Sequence, residues 1–214
     1  LLKNVLDNIE LKELITVSDR YFYVKNIKHK IEELKKEGFS YLEFRKLAEQ
    51  AKIDFENNSD NYNDKTGEIK VVPGRFYTVI KKNIELSYVF EKYQERLRSL
   101  KYYDYSDMII EVLNAFQENR DLLVTVQEQY QYLLIDEYQD TNASQNKIIE
   151  LIAQYHDYPN IFIVGDPKQA IFRFQGASLY NFDYFKKLYP SAIVIDLINN
   201  YRSSQLILDS AHSI

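Results

Sequence analysis

Cysteine is absent from the 214 residues. That excludes disulfides, thiolate zinc sites and cysteine nucleophiles. It accords with a reducing compartment, so the expected localisation is cytoplasmic. Tryptophan is absent too, and the only methionine is Met108. With Leu1 as first residue, the chain is expected to be a piece of a longer protein. There are five glycines, and the phosphate-cradling pattern Gly-x-x-x-x-Gly-Lys-Ser/Thr occurs nowhere. No apolar run approaches the ~20 residues that span a bilayer, and no signal peptide opens the chain. No membrane partner is expected.

What is present is a globular composition, 45% hydrophobic and 28% charged, enough for one large or two small cores. The net charge of −5 is not that of an obvious nucleic-acid binder. Its distribution says more. Residues 1–105 carry 20 Lys+Arg against 18 Asp+Glu, and residues 106–214 carry 7 against 14. A near-neutral first segment is thus followed by an acidic second one.

The first segment reads as helical. Residues 3–15 and 25–37 have helical patterns, and Ile27, Ile31 and Leu34 recur at helical spacing before a stop at Gly38. Ser40 and Glu43 have capping-box spacing and open a third helix. A polar run at 57–67 is a loop. A long helical pattern follows at 76–100. Four helices without a strand predict a small bundle. A further helix starts near Asp104 or Ser106, and another covers 120–129. From there the pattern alternates: strand 132–135, helix 144–155, strand 161–164, helix 178–188, strand 192–197, and a helical tail from 204. Alternation at these lengths predicts a parallel α/β sheet.

The chain is organised around Tyr132-Leu133-Leu134-Ile135-Asp136-Glu137. Four large residues running straight into two carboxylates suit a buried parallel strand, and α/β folds bind ligands beyond the carboxyl ends of such strands. One carboxylate there can hold Mg²⁺, largely through water. Its neighbour can activate an attacking water. Alone, the pair reads rather as a strand followed by a helix capped by Thr141 or Asn142. Gln169, after the second strand and Gly165-Asp166, can bond a terminal phosphate or simply face water. Phe172, Arg173 and Phe174 can stack on bases, worth ~1–3 kcal/mol each, or be core. Arg202 suits a transferring phosphoryl group or a surface ion pair.

Three longer stretches decide among these readings. Asp136-Glu137-Tyr138-Gln139-Asp140-Thr141-Asn142 resembles motif II of the UvrD/Rep-type superfamily 1 DNA helicases. The run from Val164-Gly165-Asp166-Pro167-Lys168-Gln169 to Phe172-Arg173-Phe174-Gln175-Gly176-Ala177 resembles their motif III, and Asn200-Tyr201-Arg202-Ser203 their motif IV. The motifs stand in the family's order, and the likeness covers the chain from about Tyr102 onward.

The resemblance implies an ATP-dependent enzyme that moves 3′ to 5′ on single-stranded DNA and unwinds duplex at single-strand/double-strand junctions. Its cofactors would be ATP and Mg²⁺, and its partners repair or recombination proteins. It makes Asp136 the Mg²⁺ and nucleotide ligand, joined at the metal by Glu137, which is also the catalytic base. Gln169 becomes the γ-phosphate sensor and Arg202 the arginine finger. Tyr201 would stack on adenine, and Phe172, Arg173 and Phe174 would meet DNA. The family commonly has Tyr and Trp at positions 172 and 174 and Arg at 175, so weaker DNA contacts are expected.

The implied fold is a partial RecA-like parallel sheet of P-loop NTPase type, preceded by an all-helical insertion. Residues 1–104 would be that insertion, called 1B in the family. Residues 105–199 would be the later half of the first RecA-like ATPase domain, and residues 200–214 the start of the second. The phosphate loop would lie outside this segment, which alone would be inactive. Two other readings are the helicase part of a RecB/AddA-like helicase-nuclease and a non-catalytic DNA-binding or regulatory protein with a helicase-like fold.

Overall fold

A computed structural model describes residues 1–63, 65–169 and 180–212. Helix α1 spans Leu2–Asp7, α2 Val24–Lys36, α3 Tyr41–Asn57 and α4 Val71–Leu100. Then come α5 (Tyr105–Glu118), α6 (Arg120–Gln129), β1 (Leu133–Ile135), α7 (Ala143–Ala153), β2 (Ile161–Ile163), α8 (Tyr180–Leu188) and α9 (Gln205–His212). The architecture is mostly helical, and its sheet among the described residues is the single parallel pair β1–β2. No helix among the described residues is long and apolar enough to cross a membrane.

The first core forms where α1, α2 and α4 bring their apolar faces together. Leu6, Ile31, Val89 and Phe90 are buried at its centre, with Leu2, Val5, Ile27 and Leu86 around them. Each such side chain, taken fully out of water, contributes roughly 1.5–3 kcal/mol. The helix expected over 3–15 stops at Asp7 because tertiary partners take the backbone that a longer helix would use. The Arg20 guanidinium donates to the carbonyls of Leu6 and Ile9. The Glu85 carboxylate accepts the N–H groups of Lys12, Glu13 and Leu14. Helix α4 begins at Val71, earlier than expected, and includes Pro73. Proline is tolerated there because the first turn leaves its N–H positions unbonded in any case.

Helix α2 joins this layer to the rest. It ends in a left-handed Gly38 (φ +76°), with Gly38 N–H on the Lys35 carbonyl and Phe39 N–H on that of Leu34. A Cβ at Gly38 would stand 3.1 Å from Lys147 Nζ, so glycine lets α2 approach α7. The Ser144 hydroxyl lies 2.6 and 2.8 Å from the Lys35 and Lys36 carbonyls. The Lys35 side chain, 1% exposed, reaches the start of α5, where Nζ is 2.6 Å from both Asp104 and Asp107. Those two residues also cap α5 reciprocally.

In the second half, α7 returns the chain from β1 to a parallel β2, with Leu133, Leu134 and Ile135 opposite Ile161, Phe162 and Ile163. The strand expected at 192–197 does not form. Residues 192–200 have no regular structure, and Ile193, Val194, Ile195, Leu197 and Ile198 are exposed. Apolar β-branched composition favours a strand only where a neighbouring edge completes the ladder. Among the described residues β1 and β2 pair only with each other.

Candidate active site

The ladder does not end cleanly at Ile135. Val164 donates its N–H to the Ile135 carbonyl (2.8 Å) and accepts the Tyr138 N–H (2.9 Å). Two bonds from one residue thus bracket Asp136 and Glu137, and the intervening pair is pushed out of the sheet edge. Glu137 completes the loop in the left-handed region, φ +50° and ψ +41°. That conformation costs a non-glycine residue about 1–2 kcal/mol. Both carboxylates are exposed.

Contacts of Tyr138 and Thr141 with α8, and a cap at the start of α7, fix the extruded pair in place. Tyr138 is buried edge-on against Phe182 and Phe185 of α8, with ring centroids 5.5 and 5.8 Å apart. Burial, with lesser contributions from Glu150 and the neighbouring tyrosines, pushes its phenol up to about 12. The ring is a neutral anchor at ordinary pH. Asn181 of α8 donates to the Thr141 carbonyl (2.7 Å), and Asn142 and Gln145 form a reciprocal cap on α7. Of the two expected caps for this helix, the structure uses Asn142.

Gln139 has a role that its place in the sequence does not suggest. It is 2% exposed. Its Nε2 donates to Glu137 Oε2 at 2.5 Å, and its Oε1 accepts the Asp166 N–H at 3.0 Å. Asp166 in turn holds the turn after β2. One carboxylate oxygen accepts the Lys168 N–H (2.9 Å) and the other the Gln169 Nε2 (3.0 Å). An unbroken set of hydrogen bonds therefore runs from Glu137 through Gln139 and Asp166 to Gln169. Gly165 makes room for it, since a Cβ there would lie 2.3 Å from Gln139 Oε1 and 3.1 Å from the Tyr138 nitrogen. The signal available in the sequence was a glutamine two residues past an acidic pair, followed by a glycine at the end of the next strand.

The remaining candidates sit apart. Tyr201 and Arg202 are exposed, and Asn200 Oδ1 accepts the Arg202 N–H (2.9 Å). Among the described residues no hydrogen bond or ion pair joins the Arg202 guanidinium to Asp136, Glu137 or Gln169. Phe172, Arg173 and Phe174 lie outside the described residues.

The donor set fits the metal end of a nucleotide. Asp136 is an exposed carboxylate whose Oδ1 accepts the Glu137 N–H. Mg²⁺ is held by one or two carboxylates with waters and substrate phosphates. Among the described residues no three His, Cys, Asp or Glu side chains form a self-sufficient metal cluster, and this mode needs none. The phosphate end is not matched, because the sequence holds no phosphate-cradling glycine loop. A buried oxygen, Asp140 Oδ1, has no hydrogen-bond partner among the described residues.

Comparison with known proteins gives a consistent result. The profile of the UvrD/REP helicase N-terminal domain matches residues 1–190. The chain is 40% identical over 126 residues to the ATP-dependent DNA helicase PcrA of Leuconostoc citreum, covering 59% of this chain and 17% of that protein. It is 35% identical over 147 residues to PcrA of Bacillus subtilis (69% and 19%). PcrA of Staphylococcus aureus is 36% identical over 126 residues (59% and 17%). The match therefore spans less than a fifth of the length of each of these relatives.

Proposed function

Since the chain belongs to the UvrD/Rep helicase family, we propose that it contributes the metal- and water-handling half of an ATP-driven motor. The motor moves 3′ to 5′ on single-stranded DNA and opens duplex at junctions. One observation carries the reading: two parallel strands end side by side in acidic turns, and a buried amide ties the turns together.

Bound Mg²⁺·ATP supplies the electrophilic phosphoryl group and partial charge neutralisation. Asp136 would hold the metal, largely through water. Glu137 would accept a proton from the attacking water, with its carboxylate oriented by Gln139. Gln169, tethered to Asp166, would sense the terminal phosphate. Arg202 would stabilise charge on the transferring group, Tyr201 would stack on the base, and Phe172, Arg173 and Phe174 would follow the DNA. Residues 1–104 serve in this reading as a helical insertion, residues 105–199 as the later half of a RecA-like ATPase domain, and residues 200–214 as the start of the next. The phosphate cradle and its lysine come from chain beyond these residues, as the short span of the PcrA match supports.

The test is Glu137→Gln in the full-length protein. The amide keeps shape and removes the base, so ATP turnover is expected to fall by at least ~10²–10⁴-fold while ATP binding survives. Near-normal turnover would remove Glu137 from the role and the reading with it.

A further inference from the structure

We propose that Gln139 is a positioning residue for turnover, one that fixes the Glu137 carboxylate relative to the turn after β2. The inference rests on the reading of Glu137 as base and adds to it the residue through which the two acidic turns are coupled.

Its geometry suits that task and little else. The side chain is as buried as a core leucine, yet both ends of its amide are used: donor to Glu137 Oε2 at 2.5 Å, acceptor from the Asp166 N–H at 3.0 Å. A purely structural glutamine would satisfy buried backbone at both ends, whereas this one spends its donor on an exposed carboxylate. Glu137 has one restrained oxygen as a result, and its Oε1 takes no hydrogen bond from the described residues, which leaves that oxygen for water. The backbone argues the same way. Glu137 keeps a left-handed conformation that costs a non-glycine residue free energy, and such strain persists only where the surroundings over-determine it. Gly165 keeps open the volume that the amide oxygen occupies.

The far end of the contact gives it a second consequence. Asp166 receives Gln139 on its N–H and holds Gln169 on its carboxylate. Beside the backbone bonds joining Val164 to Ile135 and Tyr138, the Gln139 amide is the side-chain route by which a rearrangement of residues 165–169 reaches Glu137. The placement of the base is thereby tied to the form of that turn, with Gln139 as the side-chain link between the two turns.

The experiment measures steady-state and single-turnover ATP hydrolysis on full-length protein carrying Gln139→Asn or Gln139→Leu, each in the native and the Glu137→Gln backgrounds. Asn keeps the amide but is one methylene too short to reach both partners. Leu removes donor and acceptor together. If Leu prevents folding, because the Asp166 N–H loses its acceptor, Asn carries the test. Misplacing a catalytic group by about 1 Å costs up to ~10²-fold. Both variants are therefore expected to lower kcat ~10–100-fold with the KM for ATP nearly unchanged. In the Glu137→Gln background the same changes should lower the residual rate no further. A fall of equal size in both backgrounds, a KM rise matching the kcat loss, or an unchanged kcat overturns the inference. Where Glu137→Gln leaves turnover unchanged, the base assignment and this inference fall together. Where Glu137→Gln is slow but the Gln139 variants are normal, this inference alone fails.

Discussion

Two polar networks, one at the joint of α2 with α5 and one at the ends of β1 and β2, differ in almost every physical respect. At the α2–α5 joint, Lys35 Nζ meets Asp104 and Asp107 at 2.6 Å each, and Gln94 Nε2 adds a bond to Asp107 at 2.8 Å. Its cation is sealed in, with the rings of Tyr93 and Phe90 5.3 and 5.9 Å away. At the strand ends, Asp136 and Glu137 stand in water and only the amide behind them is buried. The first network uses its charges on each other. The second leaves its carboxylates accessible and buries a neutral group to aim one of them. A closed set of opposite charges holds elements together. An open set of like charges, oriented from behind, is what the proposed chemistry calls for.

The joint is where substitution should cost most. Lys35→Ala leaves two carboxylates without their counter-ion at the start of α5. Removing one partner of a buried pair costs about 3–5 kcal/mol. Urea unfolding followed by tyrosine fluorescence, with no tryptophan to overlay it, measures this directly. A loss under about 1 kcal/mol would place the joint with ordinary surface pairs. Acid should weaken the joint as well. Burial by itself would raise the Asp107 carboxyl, but bonds from Lys35, the Asp104 N–H and Gln94 hold it below its usual 3.8. A carboxyl lowered in the folded state adds stability above its unfolded value and loses it as pH falls through the folded one. Stability should therefore drop below about pH 4 in the native protein, and less steeply in Asp107→Asn.

The two networks were not equally legible in the sequence. The open one announced itself, because Ile135-Asp136-Glu137 and Val164-Gly165-Asp166 are local patterns of strand followed by acid. The reciprocal caps of Ser40 and Glu43, and of Asn142 and Gln145, are local too. Lys35 and Asp104 are far apart in the chain, and nothing about a lysine near a helix end says that its ammonium will be buried. The role of Gln139 is hidden from the sequence for a related reason. Its donor contact is two residues away, but its acceptor contact is made across the sheet. A helix over 3–15 does not form, because Glu85, on α4, takes the backbone N–H groups that would continue it. Residues 192–197 have strand composition without a strand, since pairing is a property of a neighbour and not of the segment.

A smaller effect is expected where the open network meets packing. Gly165→Ala places a methyl 2.3 Å from Gln139 Oε1 and 3.0 Å from the Phe182 ring. The glutamine is held at both ends and cannot swing away freely. Overpacking of this kind costs about 1–3 kcal/mol, which a shift of the urea midpoint would report. If the amide moves to relieve the clash, turnover should fall with stability. An alanine that costs nothing in either measure would mean that the turn after β2 adapts easily, and the contrast between a rigid support and exposed acids would lose its basis.

The smallest expected effect is the sharpest test of the contrast. Asp136→Asn and Glu137→Gln alter the two residues on which the chemistry is proposed to depend, yet neither should change folding stability by more than about 0.5 kcal/mol. Both side chains are exposed and neither is in an ion pair among the described residues. Gln at 137 keeps a side-chain carbonyl that can accept from Gln139, and the left-handed backbone is no worse for an amide than for a carboxylate. A slight gain is the more natural direction, because Asp136, Glu137, Asp140 and Asp166 crowd negative charge around two turns, and a neutral amide relieves some of it. Urea midpoints for the two variants, set beside that of Lys35→Ala, give the comparison. A loss of several kcal/mol from Glu137→Gln would show that its carboxylate holds the fold together, as Lys35 does, and would remove the reason for treating it as a group kept free to react.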